Sequence, residues 1–289
     1  MRIIVTADDF GLTRGITDTI LEAVDRGAIN CVSIIANGDD FDRAIEEAKK
    51  RPDLQIALHL NLTDGTSLAP RERNPLIDVR GKFCLVFQTL WLRYFFSRRK
   101  PDFFLAVQNE ITLQVQKIKA ALPNRKIYLN GHDHVHLIPF VMRAVASVVD
   151  DLGVTYVRIP EEPLFFVRNK ANVYCSAGLA KHLLLNLLSR YARKKLRRTH
   201  VETTDAFVGI LFTGRMTVTV VQAAFKKILK RAAAPAIVEV LFHPGKANQS
   251  EATRWKHKGR SWVWFVSPER DAERQAAQSS ELDIFLKSC

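Results

Sequence analysis

Short aliphatic runs recur along this chain, and each is followed by a stretch with helical spacing. Residues 2–7, 31–36, 54–62, 127–129, 154–159, 206–212 and 236–242 are rich in Ile, Val and Leu. Turn-forming or polar residues bound them, as they bound strands. Residues 41–50, 105–122, 139–153, 178–198 and 218–233 read as helices. Parallel neighbours in a sheet need a long crossover, and a helix supplies it. The alternation predicts an α/β fold built on a parallel sheet or barrel. With 289 residues and no internal repeat, the chain reads as one domain. It carries an aromatic and basic insert at about 83–104, a basic amphipathic helix over 178–198, and a polar, Trp-containing tail over 246–289.

The first strand ends in two adjacent carboxylates, Asp8 and Asp9, and Gly11 then breaks the chain. Ile16, Ile20, Ala23 and Val24 follow at helical spacing. In parallel α/β proteins the loops at the carboxyl ends of strands converge on one face, and chemistry collects there. Two carboxylates side by side repel, so a bound cation is one reading of the pair. Helix capping by one of them is the other.

Hydrophobic residues make up 47% of the chain, which excludes wholesale disorder. The net charge is +13, from 43 Lys plus Arg against 30 Asp plus Glu. It favours an anionic partner: a membrane surface, a phosphorylated or lipid-linked substrate, or nucleic acid. Cys31, Cys84, Cys175 and Cys289 have no CxxC spacing and read as ordinary thiols of a reducing compartment. No signal peptide is apparent, and no run reaches the ~18 apolar residues of a spanning helix. The expected location is the cytoplasm or the inner face of a membrane.

In residues 54–62 the leucines alternate with Gln55, Ala57, His59 and Asn61, so His59 and Asn61 should share the face opposite the leucines. The insert interleaves Phe87, Trp91, Phe95, Phe96 and Phe103 with Arg93, Arg98, Arg99 and Lys100. It reads either as a core helix with a solvated loop or as a lid or membrane contact. In the helix over 178–198, Ala180, Leu183, Leu184, Leu187, Leu188 and Tyr191 form an apolar stripe beside a basic second half. Core packing is the plainer reading of that stripe, and a membrane-surface helix the other. The tail brings Trp255, Trp262, Val263, Trp264 and Phe265, then Ser267-Pro268 and a helical pattern to the end.

Asp8, Asp9, His59, His132, His134, His136 and His243 all fall at or beside expected strand ends. That places five of the eight histidines there, which a random scatter would not do. One Asp and two His make a set suited to a divalent ion with positions left open. Such an ion supplies hydroxide near neutral pH and polarises a carbonyl. A second carboxylate can take the water's proton, and a further His can protonate a leaving group. The inventory is that of an amide or ester hydrolase.

The motifs ADDFG (7–11), ALHLNLT (57–63), GHDHVHLIP (131–139) and FHPG (242–245) resemble those of the YdjC-like carbohydrate deacetylases. The resemblance runs to about residue 245. It implies a distorted (β/α) barrel akin to polysaccharide deacetylases, and removal of N-acetyl groups from amino sugars with one divalent metal, zinc or magnesium. It implies Asp9, His59 and His132 as metal ligands, Asp8 as catalytic base and His243 as general acid. His134 and His136 are expected to support the ligands from behind. VRIPEEP (157–163), TTDAFVGI (203–210) and TGRMT (213–217) resemble the hopanoid-biosynthesis-associated branch, which implies an acetylated sugar on a membrane lipid. The residues after 245 match no pattern of the family.

Arg158 is expected to orient the base or bind sugar, Asp205 to hold a sugar hydroxyl, and Asn61 to lie near the substrate. Surface or structural ion pairing is the alternative for Arg158 and Asp205. The expected partner is an N-acetylated sugar or glycolipid, with possible peripheral membrane contact and no nucleic acid; the oligomeric state is open. Two readings compete with a glycolipid deacetylase: a chito-oligosaccharide deacetylase, and a basic module that binds a membrane or RNA without catalysis.

Overall fold

The structure is a computed structural model that describes residues 1–230, 235–253 and 260–289. The end of the helix expected over 218–233, Trp255 and the side chain of Trp262 lie outside the described residues. The first half runs β1 (Arg2–Phe10), α1 (Arg14–Arg26), β2 (Cys31–Ile34), α2 (Phe41–Lys49), β3 (Gln55–Leu60), α3 (Phe87–Phe96), α4 (Lys100–Ala121) and β4 (Ile127–Gly131). A 3-10 segment, His132–Leu137, leads into α5 (Pro139–Val148), β5 (Val154–Val157), α6 (Ala177–Leu196), β6 (Glu202–Thr203) and β7 (Ala206–Val208). Then come α7 (Val218–Ile228), β8 (Ile237–Phe242), α8 (Gln249–Ala252), α9 (Arg260–Phe265), α10 (Pro268–Ala277) and α11 (Ser280–Lys287).

Among the described residues the sheet has eight strands, all parallel, in the order β6-β5-β4-β3-β2-β1-β8-β7. The two edge strands are consecutive in sequence, β6 ending at Thr203 and β7 starting at Ala206. Two residues therefore span the open seam, so the sheet curls into a nearly closed barrel with helices outside. This is the distorted barrel expected from the motifs.

Alternation along the strands builds the barrel interior in layers. Ile4, Cys31, Ala57, Tyr128, Tyr156 and Ile237, one from each of six strands, form a cluster apart from the main core. Two positions further along the chain stand Thr6, Ser33, His59, Asn130, Arg158 (just past the end of β5) and Glu239, all buried and all polar. An apolar floor thus carries a polar layer toward the carboxyl ends of the strands.

One expectation changes. The apolar stripe predicted for the helix over 178–198 is largely turned outward: Leu183 is 59% and Leu187 63% exposed. The buried face of α6 is His182, Leu185, Leu188, Ser189, Ala192 and Leu196, and it is anchored where His182 Nε2 lies 3.0 Å from the Glu162 carbonyl oxygen. The helical pattern expected toward the end of the chain is α10 and α11. Arg270, Glu273 and Ala277 on one face of α10 are fully buried.

Candidate metal and active site

A regular strand sends successive side chains to opposite faces, yet Asp8 and Asp9 line the same cavity of about 230 Å³. The backbone explains this. The β1–β2 register breaks between Ala7 and Phe10, and Asp9 has φ 76°. The strand itself continues through the pair to Phe10. Neither carboxylate caps α1, because Thr13 does so, with Oγ1 accepting from Ile16 N.

Asp8 is gripped by Arg158, whose Nη1 donates to Oδ2 at 2.7 Å and Nη2 to Oδ1 at 3.0 Å. Arg158 is held in turn by Glu239, its Nε donating to Oε1 at 2.8 Å. Thr6 and Tyr156 also donate to Glu239, at 2.8 and 2.7 Å. Burial opposes ionisation of Asp8, but the Arg158 guanidinium outweighs it and holds the carboxyl well below the usual range. Arg158 thus forms a buried ion pair with Asp8 and Glu239, beside the candidate base rather than on the sheet surface.

Asp9 divides its oxygens. Oδ2 accepts from Arg270 Nη2 at 2.8 Å. Oδ1 faces His132 Nδ1 at 3.0 Å and His59 Nε2 at 3.6 Å. The two imidazole nitrogens stand 3.3 Å apart. One ligand atom from each of Asp9, His59 and His132 lies within 4.8 Å of the others. Two imidazoles and one carboxylate oxygen around a common point are compatible with a divalent cation.

The segment after β4 turns sharply so that His132 can face inward. Asp133 and His134 both take left-handed φ values, 51° and 57°, a conformation that Asp and His tolerate better than most residues. Gly131 makes room for the turn, since a Cβ there would stand 2.7 Å from His136 Nδ1. His134 lines the cavity. His136 is buried behind it, Nε2 lying 3.1 Å from the Arg158 carbonyl oxygen. His243, just past β8, also lines the cavity, and its ring meets Trp264 edge-on at 5.5 Å.

Two expected site residues lie elsewhere. Asn61 closes the turn after β3: its Nδ2 donates to Asn37 Oδ1 at 3.0 Å, and its Oδ1 accepts from the backbone N–H of Thr63 and Asp64. The strand has ended by then, so the alternation that aimed His59 no longer applies. Asp205 Oδ2 accepts from Ala236 N and Ile237 N. That is the start of β8, at the opposite end from His243, and a sugar in the cavity is out of its reach.

Several residues of the site carry no motif. Arg270 reaches Asp9 from α10. Glu273, one turn on, accepts from His243 N at 2.6 Å. Phe265 stacks parallel to the His132 ring at 6.3 Å. Lys181 and Thr213 line the cavity from α6 and from the loop after β7. The pairing of Arg270 with Glu273 at i, i+3 was the available signal, and on sequence it looks like a solvated ion pair.

A family model described as YdjC-like protein matches residues 2–288. The chain belongs to the YdjC-like family. The family match includes the region after residue 245, which the motifs alone had left outside. Among curated relatives, a human protein named carbohydrate deacetylase is 29% identical over 254 residues, 85% of this chain and 75% of that one. A carbohydrate deacetylase of Listeria monocytogenes is 28% identical over 71% of this chain and 78% of its own. One of Brevibacillus brevis is 24% identical over 88% and 85%. A crystal structure from Enterococcus faecalis V583, provisionally described as a cellobiose-phosphate cleavage protein, superposes with a TM-score of 0.68 at 19% identity. The match covers 99% of this chain and 94% of that one, so the two share their fold from end to end.

Proposed function

We propose that this chain is a metal-dependent hydrolase that removes the N-acetyl group from an amino sugar, and that the sugar is carried on a membrane lipid. The observation that carries the reading is the convergence of Asp9, His59 and His132 beside an ionised Asp8. The relatives named carbohydrate deacetylase support the substrate class. The nitrogen-rich ligand set favours zinc over magnesium, which prefers oxygen.

Asp9, His59 and His132 would hold the ion, which when bound supplies an acidified water and a polarising charge for the acetyl carbonyl. Asp8 accepts the water's proton. Arg158 keeps Asp8 ionised and aimed while it waits. His243 protonates the departing amine, steadied by Glu273 at its backbone and Trp264 against its ring. Lys181 and Thr213 stand on the cavity wall where sugar hydroxyls would pass. His136 supports the ligand segment from behind, and His134 stands beside it on the cavity wall.

The lipid comes from the outer surface. Leu183 and Leu187 of α6, and Phe95 and Phe96 of α3, are exposed. Both helices pack against the segment that bears His132, and these apolar side chains lie on their solvent faces. Arg98, Arg99, Lys100 and Arg190 are exposed near them in sequence. Apolar residues with basic neighbours suit an anionic interface. Among the described residues no helix is long and apolar enough to cross a membrane, so the contact proposed is peripheral, at the inner face. Residues 157–163, 203–210 and 213–217 add their likeness to the hopanoid-associated branch.

The test is mass spectrometry of acetylated glycolipids and chito-oligosaccharides incubated with the protein. Loss of one acetyl mass from the glycolipid, abolished by EDTA and restored by zinc, is expected. Turnover of free chito-oligosaccharides alone would move the substrate off the membrane. Undiminished turnover in metal-stripped protein would remove the metal from the reading.

A further inference from the structure

Asp8 and His59 are joined by two side chains that the mechanism does not use. Ser33 Oγ donates to Asp8 Oδ1 at 2.7 Å. Asn130 Nδ2 donates to Ser33 Oγ at 2.7 Å. Asn130 Oδ1 lies 2.6 Å from His59 Nδ1. All four residues are buried, from Ser33 at 0% exposure to Asp8 at 3%.

The direction of each bond follows from one end. The Asp8 carboxylate has only acceptors to offer, so the single hydrogen of the Ser33 hydroxyl goes there. Ser33 Oγ can then only accept from Asn130. The amide nitrogen of Asn130 therefore faces Ser33, and its oxygen faces His59. An oxygen at 2.6 Å requires the proton of the neutral ring to sit on Nδ1. The lone pair is left on Nε2, the atom 3.6 Å from Asp9 Oδ1 and 3.3 Å from His132 Nδ1.

We propose that Asn130 is a positioning residue that fixes the tautomer and ring plane of His59, with Ser33 passing on the orientation dictated by the Asp8 carboxylate. Three strands contribute one link each behind His59: Asn130 on β4, Ser33 on β2 and Asp8 on β1. The proposal rests on the metal reading above, in which the Nε2 lone pair is the atom His59 gives to the cation. It adds that the base and one ligand are set by the same hydrogen-bonded chain. Partners of this kind behind a metal-binding His are typically worth about ten- to a hundred-fold in metal affinity.

Two measurements test it. The first is the ring tautomer of His59, read from long-range nitrogen–proton NMR correlations in the zinc-free protein at neutral pH. Nδ1–H is expected in the wild type, and a mixture of tautomers in Asn130→Leu. The second is zinc affinity by competition with a chromophoric chelator. Asn130→Leu, which keeps the shape and removes the acceptor, should lose about ten- to a hundred-fold. Asn130→Asp, which keeps an acceptor toward Nδ1, should bind zinc more tightly than Asn130→Leu and hold the Nδ1–H tautomer. A merely structural asparagine would treat both replacements as damage. Should Asn130→Leu fail to fold, Ser33→Ala serves: it frees the amide to flip and should cost about five-fold in affinity. His59 carrying its proton on Nε2 in the zinc-free wild type overturns the inference, as does an Asn130→Leu variant with unchanged tautomer and affinity. A wild type with the expected tautomer that binds no zinc overturns the metal reading alone.

Discussion

Arg270 Nη2 donates to Asp9 Oδ2 at 2.8 Å, joining two residues 261 positions apart. The guanidinium is clamped between the rings of Trp264 and Phe265, its Cζ 4.8 and 4.6 Å from their centroids. It also donates from Nη1 to the Gly245 carbonyl. One arginine thus serves each carboxylate of the pair, Arg158 for Asp8 and Arg270 for Asp9. Asp9 is left with one oxygen for the imidazoles, and its buried charge is balanced whether or not a cation is present.

Replacing Arg270 by Met should therefore destabilise the metal-free protein most. Removing one partner of a buried ion pair typically costs about 3–5 kcal/mol. Zinc would then supply the missing positive charge, so it should raise the melting temperature of Arg270→Met more than that of the wild type. Thermal melts with and without zinc read this directly. Equal shifts in the two proteins would show that the guanidinium does not balance Asp9.

Asp8→Asn should separate catalysis from metal binding. The amide keeps the shape of the carboxylate but cannot take a proton, and its NH2 gives up one of the two Arg158 hydrogen bonds. Acetate release should fall by about 10²–10⁴, while zinc affinity should drop by no more than the about five-fold expected from loosening the Ser33–Asn130 chain, because Asp8 is no ligand. A variant that loses zinc in proportion to rate would place Asp8 among the ligands.

Metal uptake should depend on pH through His132. Burial lowers its proton affinity, but the Asp133 and Asp9 carboxylates outweigh that and push it up to about 9. In metal-free protein the protonated ring adds stability that is complete below the ordinary value of 6.5 and fades as pH rises toward 9. Zinc must displace that proton, so affinity should climb about ten-fold per pH unit between 7 and 9 before levelling. Isothermal titration in buffers of different ionisation enthalpy counts the released proton. A flat affinity across that range would show His132 neutral before zinc arrives.

Leu187→Gln and Phe96→Ser, singly or together, should weaken flotation with vesicles containing anionic phospholipid. Both side chains stand in solvent, so stability should change by no more than about 0.5 kcal/mol. Hydrolysis of a short water-soluble acetylated sugar should be untouched. Vesicle binding that survives the double change would leave the exposed leucines and phenylalanines without the role proposed for them.

The strands, their parallel order and the donors on them could be read from the chain because period-two alternation and turn residues are local signals. Asp8, Asp9, His59, His132 and His243 all stand where a strand has just ended or is about to. What could not be read is what long-range docking decides. The face of α6 that packs inward is set by His182 meeting the Glu162 carbonyl, not by where its leucines fall. On α10 the inward face is Arg270, Glu273 and Ala277, a stripe of charge that any local rule sends to solvent. Asn61 misled for a smaller reason: alternation holds only while the strand lasts, and β3 stops at Leu60.

During synthesis β1 leaves the ribosome long before β8 and α10. A growing chain thus carries Asp9, His59 and His132 well before it has β8, the second of the two strands beside β1, or the guanidinium that steadies Asp9. Its coordination centre is finished only once α10 has emerged, and a prematurely released fragment would hold the donor groups without the frame that aims them.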